Sequence, residues 1–416
     1  MNERISGAID GALAFLAPRA GEATRLTMQL VAAPSENLPG DETAPAAVMR
    51  EAIAAHGLPA ATEYAKEPHR PNLIVRIDGA HPGRHLALCG HLDTKPVGEA
   101  AHEWNSDPFT PTIIGDRMFG LGSTDMKGAC AAMLLAGAAF NAVRDRASGS
   151  LSLVFTADEE YGSHFGAKYL TDIGAIDADA ILLGEPAGVH ADWEAIRTVS
   201  RGFCGFRVMV GGTQTHSSIS DQMPTVSAVE AMAKVITGLR RELHPRFPEH
   251  PLCPNGPTVN IGVRAFGGVG YGVLAGHGEI WSDIRTTPGM TQEALAEDIE
   301  AALVRIRPEV PGATVSWEFH PSLGWIEPTE VPADHAMVMA IREASGQILG
   351  VDVPLGPFPG ATDAYAFHGR GGIPTLAAWG PGMLPLAHGP NEFVSVSALE
   401  QTPAIYAITA LLYGAS

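Results

Sequence analysis

The stretch LALCGHLDTKPVGE, residues 86–99, runs from an apolar segment straight into a histidine and an aspartate two positions apart. Apolarity is continuous over HLALCG (85–90), without the alternation of a half-exposed strand. That pattern predicts a strand covered on both faces, the kind found in a central, largely parallel sheet. In such sheets ligands collect beyond the C-terminal ends of the strands, and this strand ends on His91 and Asp93. Side chains two apart share one face of an extended chain. A carboxylate there can accept an imidazole N–H, fix the tautomer and raise the ring's basicity toward a metal. His-x-Asp is a weak pattern alone, so reading His91 as a metal ligand and Asp93 as its orienting acid depends on the rest of the chain.

Three other runs are apolar in the same unbroken way, namely LSLVFTADEE (151–160), AILLGEP (180–186) and IPTLAAWG (373–380). A helix rich in alanine, leucine and methionine, MKGACAAMLLAGAAFNAV (126–143), falls between the first two strands. Polar groups gather where these runs stop. Asp125 sits in GLGSTDMKGACAAML (120–134), at a glycine-rich turn where the helix begins, and could be either a ligand or a carboxylate at the positive helix end. Asp158, Glu159 and Glu160 are adjacent acids whose repulsion is tolerable in water or beside a cation. Glu185 directly follows an apolar run, as a ligand or as a solvent-facing loop acid. His388 lies in the glycine-proline loop of LAHGPNEFVSV (386–396).

Each position alone is ambiguous. Together they set two imidazoles and several carboxylates at one pole of a sheet, more than a structural core tolerates unpaired. His91 and His388 are neutral ligands, and Asp125, Glu160 and Glu185 bring three negative charges. Two divalent ions and one bridging hydroxide then balance the group. Nitrogen and oxygen donors without sulfur suit zinc, with cobalt or manganese as substitutes.

The chain has 416 residues and a formal charge of −19, which argues against nucleic acid or an anionic membrane surface as a partner; a small-molecule substrate is expected instead from the candidate metal site. Its four cysteines, Cys89, Cys130, Cys204 and Cys253, show no Cys-x-x-Cys spacing and are expected as buried free thiols in a reducing cytoplasm. The N-terminal ISGAIDGALAFLAPRA (5–20) is interrupted by Asp10 and lacks a basic start, so it predicts an amphipathic helix and not a signal peptide. No apolar run approaches membrane-spanning length. A cytoplasmic protein is expected.

From about residue 197 the texture changes. GFCGFRVMV (202–210) alternates, a helical segment follows at 224–243, then strands at 257–266 and 278–287, a helix at 291–307 and a strand at 313–320. This β-α-β-β-α-β order is that of a ferredoxin-like sandwich. Residues 197–319 are therefore expected as an inserted α+β domain, and residues 1–196 with 320–416 as a discontinuous α/β domain carrying the metal ligands.

With GHLDTKP, GLGSTDMKGA, TADEEYGS, GEP, GGTQTHSS, SDIRTTPG and AHGPNE in this order, the chain resembles the co-catalytic metallo-amidohydrolases. That family includes acetylornithine deacetylase, succinyl-diaminopimelate desuccinylase, aminoacylase and glutamate carboxypeptidase. The resemblance runs from about residue 85 to the end. It implies that His91 and Glu185 hold one metal, Glu160 and His388 the other, and that Asp125 bridges, followed by a cis peptide to Met126. Asp93 would orient His91, and Glu159 would be the general base.

By the same resemblance the inserted domain would be a lid and a homodimer contact. His216 would reach the oxyanion from the partner subunit. Arg285 would clamp a substrate carboxylate, and Gly360 and Thr362 of PGATDAY (359–365) would touch the substrate. Glu at 185 together with Arg285 favours a deacylase or carboxypeptidase of carboxylate-bearing amides. The alternatives are a deaminating aminohydrolase of aminobenzoate type and a dipeptidase or aminopeptidase. One stretch departs from the pattern: GGVGYGVLAGHGE (267–279) lacks the Asn and Pro that usually follow the lid's double glycine. The difference falls on the substrate side and leaves the metal ligands untouched.

Overall fold

His81–His91 forms β3, a central strand of a six-stranded sheet, and its last seven residues are all buried. With β1 (Thr62–Ala65), β2 (Pro71–Asp78), β4 (Ser148–Thr156) and β5 (Ala180–Leu183), the order is β1-β2-β4-β3-β5 and then the short strand Thr375–Leu376. The pairings β3–β4, β3–β5 and β5 with Thr375–Leu376 are parallel, whereas β1–β2 and β2–β4 are antiparallel. The computed structural model describes residues 3–321 and 323–416. They divide into one unit of residues up to Val199, Thr329–Phe358 and Thr362–Ser416, and a second of Ser200–Pro328 and Pro359–Ala361.

The helix between β3 and β4 is Gly128–Ala142, buried on every side, as its all-round apolar sequence requires. Its small residues allow close packing: a Cβ on Gly137 would stand 2.6 Å from the Leu153 side chain of β4. Val396–Gly414 packs beside it, and the N-terminal stretch forms the helix Glu3–Leu16, burying Ala8, Ile9 and Ala12. Pro18 falls in the 3-10 turn Ala17–Arg19 that comes next.

The fourth buried run departs from its expected length. Only Thr375–Leu376 of IPTLAAWG pairs in the main sheet, and Gly380–Met383 then pairs with Pro186–Gly188 in a separate two-stranded ladder. The backbones cross tightly there: a Cβ on Gly380 would lie 1.9 Å from the Gly184 carbonyl oxygen, so this position takes glycine.

The second unit carries β6 (Gly202–Gly211), β7 (Thr258–Gly267), β8 (His277–Thr286) and β9 (Thr314–Phe319), in the order β7-β8-β6-β9 with antiparallel neighbours. Alternate residues of β6 and β8 are buried, and Val235, Leu239, Ile299 and Leu303 of helices Ala228–Glu242 and Gln292–Ile306 complete their core. Ser227 and Thr291 cap the two helices by accepting the backbone N–H of Glu230 and Ala294. This is the ferredoxin-like arrangement. All four cysteines are buried free thiols. Among the described residues no helix is long and apolar enough to cross a membrane.

Candidate metal centre

Because β3, β4 and β5 are parallel, the chain leaves all three at the same edge of the sheet. His91 is the last residue of β3 and pairs in register with Thr156, the last of β4; Asp158, Glu159 and Glu160 come just beyond. Cys89 pairs with Leu183, the last residue of β5, and Glu185 stands two residues later. Asp125 arrives from the glycine-rich turn ahead of Gly128–Ala142, and its peptide bond to Met126 is cis. His388 joins from the loop after Leu384–Leu386, in the left-handed region at φ 64°.

Two triads result, His91–Asp125–Glu185 and Asp125–Glu160–His388. The ligand atoms in each lie within 4.8 Å of one another, and Asp125 is common to both. His91 Nε2 is 3.1 Å from Asp125 Oδ1 and 3.7 Å from Glu185 Oε1. His388 Nε2 is 3.2 Å from Asp125 Oδ2 and 3.0 Å from Glu160 Oε1. Asp125 thus offers one oxygen to each triad. His91, Asp125, Glu160 and Glu185 are buried, while His388 is exposed.

Burial alone would lower the His91 imidazole, but Asp125 and Asp93 beside it hold it well above its ordinary range. His388, despite partial loss of solvent around its ring, is likewise raised to about 10 by Asp125 and Glu160. The two imidazolium neighbours in turn outweigh the burial of Asp125 and hold its carboxyl far below the usual carboxylate range. Burial and the charge of Asp125 push Glu185 up. In the metal-free polypeptide, protons on the imidazoles do the work that cations would do, so ion binding must release them. Oxygen and imidazole donors in two triads with one shared carboxylate fit a pair of divalent ions.

The family model of peptidase family M20/M25/M40 matches residues 87–411. The chain belongs to that family. It is similar to acetylornithine deacetylase of Pectobacterium atrosepticum, 30% identical over 338 residues covering 80% of each chain. The acetylornithine deacetylase of Proteus mirabilis is 32% identical over 339 residues, 80% of this chain and 79% of that one. An M20 family metallo-carboxypeptidase of Sulfolobus solfataricus shares the fold, with a TM-score of 0.75 at 19% identity over 95% of this chain and 100% of that one. As an M20 peptidase-family member this chain is a metal-dependent hydrolase of amide or peptide bonds in small substrates, with a dinuclear metal site.

In this M20 chain the two triads rest on further buried polar residues. His91 Nδ1 is 3.0 Å from the Asp93 backbone carbonyl and 3.5 Å from the Asp93 carboxylate. That carboxylate accepts the backbone N–H of Glu159 and of Glu160, and the Asn37 amide at 2.9 Å. Asn37 also donates to Asp158 and accepts from Arg70, whose guanidinium pairs with the fully buried Glu42 at 2.7 Å. Glu392 accepts three backbone N–H groups, from Gly122, Thr124 and Asp125, and so shapes the turn that delivers the shared acid. Asp363 accepts the Ser163 hydroxyl at 2.5 Å and Tyr365 donates to the Gly162 carbonyl at 3.1 Å, holding the loop that bears Glu159 and Glu160.

None of Asn37, Glu42, Arg70, Glu392 or Asp363 stands out in the sequence, although Glu392 and Asp363 fall inside the AHGPNE and PGATDAY motifs. Glu159 is partly buried, and its carboxyl is pushed well up by burial, with Asp363 and Glu160 adding to the rise against the pull of His91. Thr362 lies in the same unit as the triads, where its hydroxyl accepts the Ala364 N–H. His216, Arg285 and Gly360 belong to the second unit. There His216 is exposed, its Nδ1 receives the Ser218 N–H, and its strand pairs with Val273–Leu274 of the glycine-rich stretch. Arg285 lies over the Phe203 ring at 4.9 Å, and the Gly360 carbonyl accepts the Ser200 hydroxyl.

Proposed function

We propose that this chain is a two-metal amidohydrolase that cleaves the amide C–N bond of an N-acyl amino acid or a similar carboxylate-bearing amide. The observation that carries this reading is the sharing of Asp125 by two triads, with Glu159 on the turn that supplies Glu160. His91 and Glu185 would hold one ion and Glu160 and His388 the other, with Asp125 common to both triads. Zinc suits these donors, with cobalt or manganese as substitutes.

When bound, the ions would supply Lewis acidity, lowering the pKa of a water toward neutrality and polarising the scissile carbonyl. Glu159 takes the proton of the attacking water and hands it to the departing nitrogen, and burial pushes its carboxyl up, which strengthens it as a base. Asp93 keeps His91 in one tautomer through its carbonyl and ties the Glu159–Glu160 turn to that strand end. The second unit acts as a lid and a homodimer contact. From it His216 of one protomer meets the oxyanion of its partner's site, and Arg285 pairs with the substrate carboxylate. Gly360 and Thr362 border the substrate. The deacetylase relatives, at 30–32% identity over four-fifths of the chain, support an acyl amine over other amides.

The test is hydrolysis of a panel of N-acetyl, N-succinyl and N-carbamoyl amino acids, dipeptides and aminobenzoates by metal-reconstituted protein. Release of a carboxylic acid and a free amino acid, abolished by chelation and restored by zinc, is expected. Ammonia released from an aminobenzoate would replace deacylation with deamination, and no turnover on any member would remove the proposal.

A further inference from the structure

The two triads differ in one respect that their ligands alone do not reveal. Lys95, four residues beyond His91, places its ammonium 3.2 Å from Glu160 Oε2 and also donates to the Glu160 carbonyl oxygen. The other oxygen of that carboxylate faces His388. The ion pairs of Asp125 and Glu185, by contrast, are with histidines. The triads also differ in access: the His91 and Glu185 side chains are 1% and 6% exposed, whereas those of His388 and Lys95 are 44% and 37% exposed.

We propose that Lys95 is a built-in cation that makes Asp125–Glu160–His388 the weaker and more exchangeable of the two metal sites, so that His91–Asp125–Glu185 fills first. This rests on the two-ion reading above. Asp125, Glu160 and Glu185 together carry three negative charges, and the ammonium reduces them to two, which a single divalent ion balances. A second ion then meets a ligand set that is already neutral, with a positive charge next to the very carboxylate it must share. The long lysine stem is partly solvated, so the ammonium can move aside without unpacking the core. Its charge stays nearby and continues to oppose the second ion. Both consequences fall on the Glu160 side.

The experiment is a titration of metal-free protein with Co2+, followed by heat and by visible absorption, which report binding without any substrate. The unsubstituted protein is expected to bind two ions in two separated events. Lys95→Met, which keeps length but removes charge, should tighten the weaker event by about tenfold, leaving the tighter one within about twofold. Lys95→Gln should do the same, and Lys95→Arg should restore the separation. A weaker event unmoved in both neutral variants, or an equal shift of both events, overturns the role of Lys95. Binding of fewer than two ions by the unsubstituted protein overturns the two-ion reading itself.

Discussion

Asp93 binds Glu160 through the backbone: its carboxylate accepts the Glu160 N–H at 3.1 Å, just as its other oxygen accepts that of Glu159. Since the same carboxylate also lies 3.5 Å from His91 Nδ1, this side chain joins the imidazole of the first triad to the acid turn of the second. Asp93→Ala should therefore do more than loosen a ring. Loss of an outer partner costs about 10–100-fold in metal affinity, and here both ions should be weakened. Chelator competition on the variant, read ion by ion, checks this; loss confined to the His91 side would mean the turn stands without Asp93.

Glu159 has a different part. Its side chain belongs to neither triad, so Glu159→Ala should keep two ions per chain while hydrolysis falls about 10²–10⁴-fold, the range for losing a general base. Elemental analysis beside steady-state kinetics decides it. Activity within a few-fold of the unsubstituted protein would remove Glu159 from the mechanism.

Glu392 meets three N–H groups with two oxygens. Burial pushes its carboxyl up to about 8, while the backbone donors favour the ionised form. Glu392→Gln turns an amide NH2 toward backbone donors, and the unmade bonds should cost about 1–3 kcal/mol. Thermal melting of metal-free protein gives the stability loss. Because the Asp125 N–H is one of the three, the variant should also bind both ions more weakly.

The Glu42–Arg70 pair gives a pH signature. Burial, and then the charge of Asp93, raises Glu42 to about 8 despite the facing guanidinium, against 4.5 for the unperturbed group. Between those values the folded state holds a proton that the unfolded chain has lost, so this group's contribution to stability declines as pH rises from about 4.5 to about 8. In metal-free protein Glu42→Gln should flatten that decline relative to the unsubstituted chain, by up to a few kcal/mol at the upper end. Denaturant melts at several pH values measure it; parallel curves for the two proteins would refute it. Above about pH 8, where Glu42 is ionised, Arg70→Met leaves it and Asp158 buried without their cation and should cost about 3–5 kcal/mol.

Much of this architecture is written locally. A strand buried on both faces needs an unbroken apolar run, so HLALCG, LSLVFT and AILL are legible before any folding is considered. Parallel pairing then comes from the intervening helix, and with it the gathering of His91, Glu160 and Glu185 at one edge. The alternation of β6 and β8 and the capped helix that follows each of them mark the second unit in the same way. The run at 373–380 misled in length, because it breaks where the Gly184 and Gly380 backbones touch, a contact between segments almost two hundred residues apart that neither shows alone.

The elements, and the acids and histidines at their ends, were thus readable from the residue order, since periodicity and strand direction are local properties. Their support was not, and came only with packing: Glu392 under the turn of Asp125, Asp363 under the turn of Glu160, the Asn37–Arg70–Glu42 chain behind Asp93, and Lys95 against one ligand and not another. A lone polar residue in a loop carries no period. Its partner is set by which distant backbone donor or carboxylate it meets when both are removed from water, and that is a property of the packed molecule.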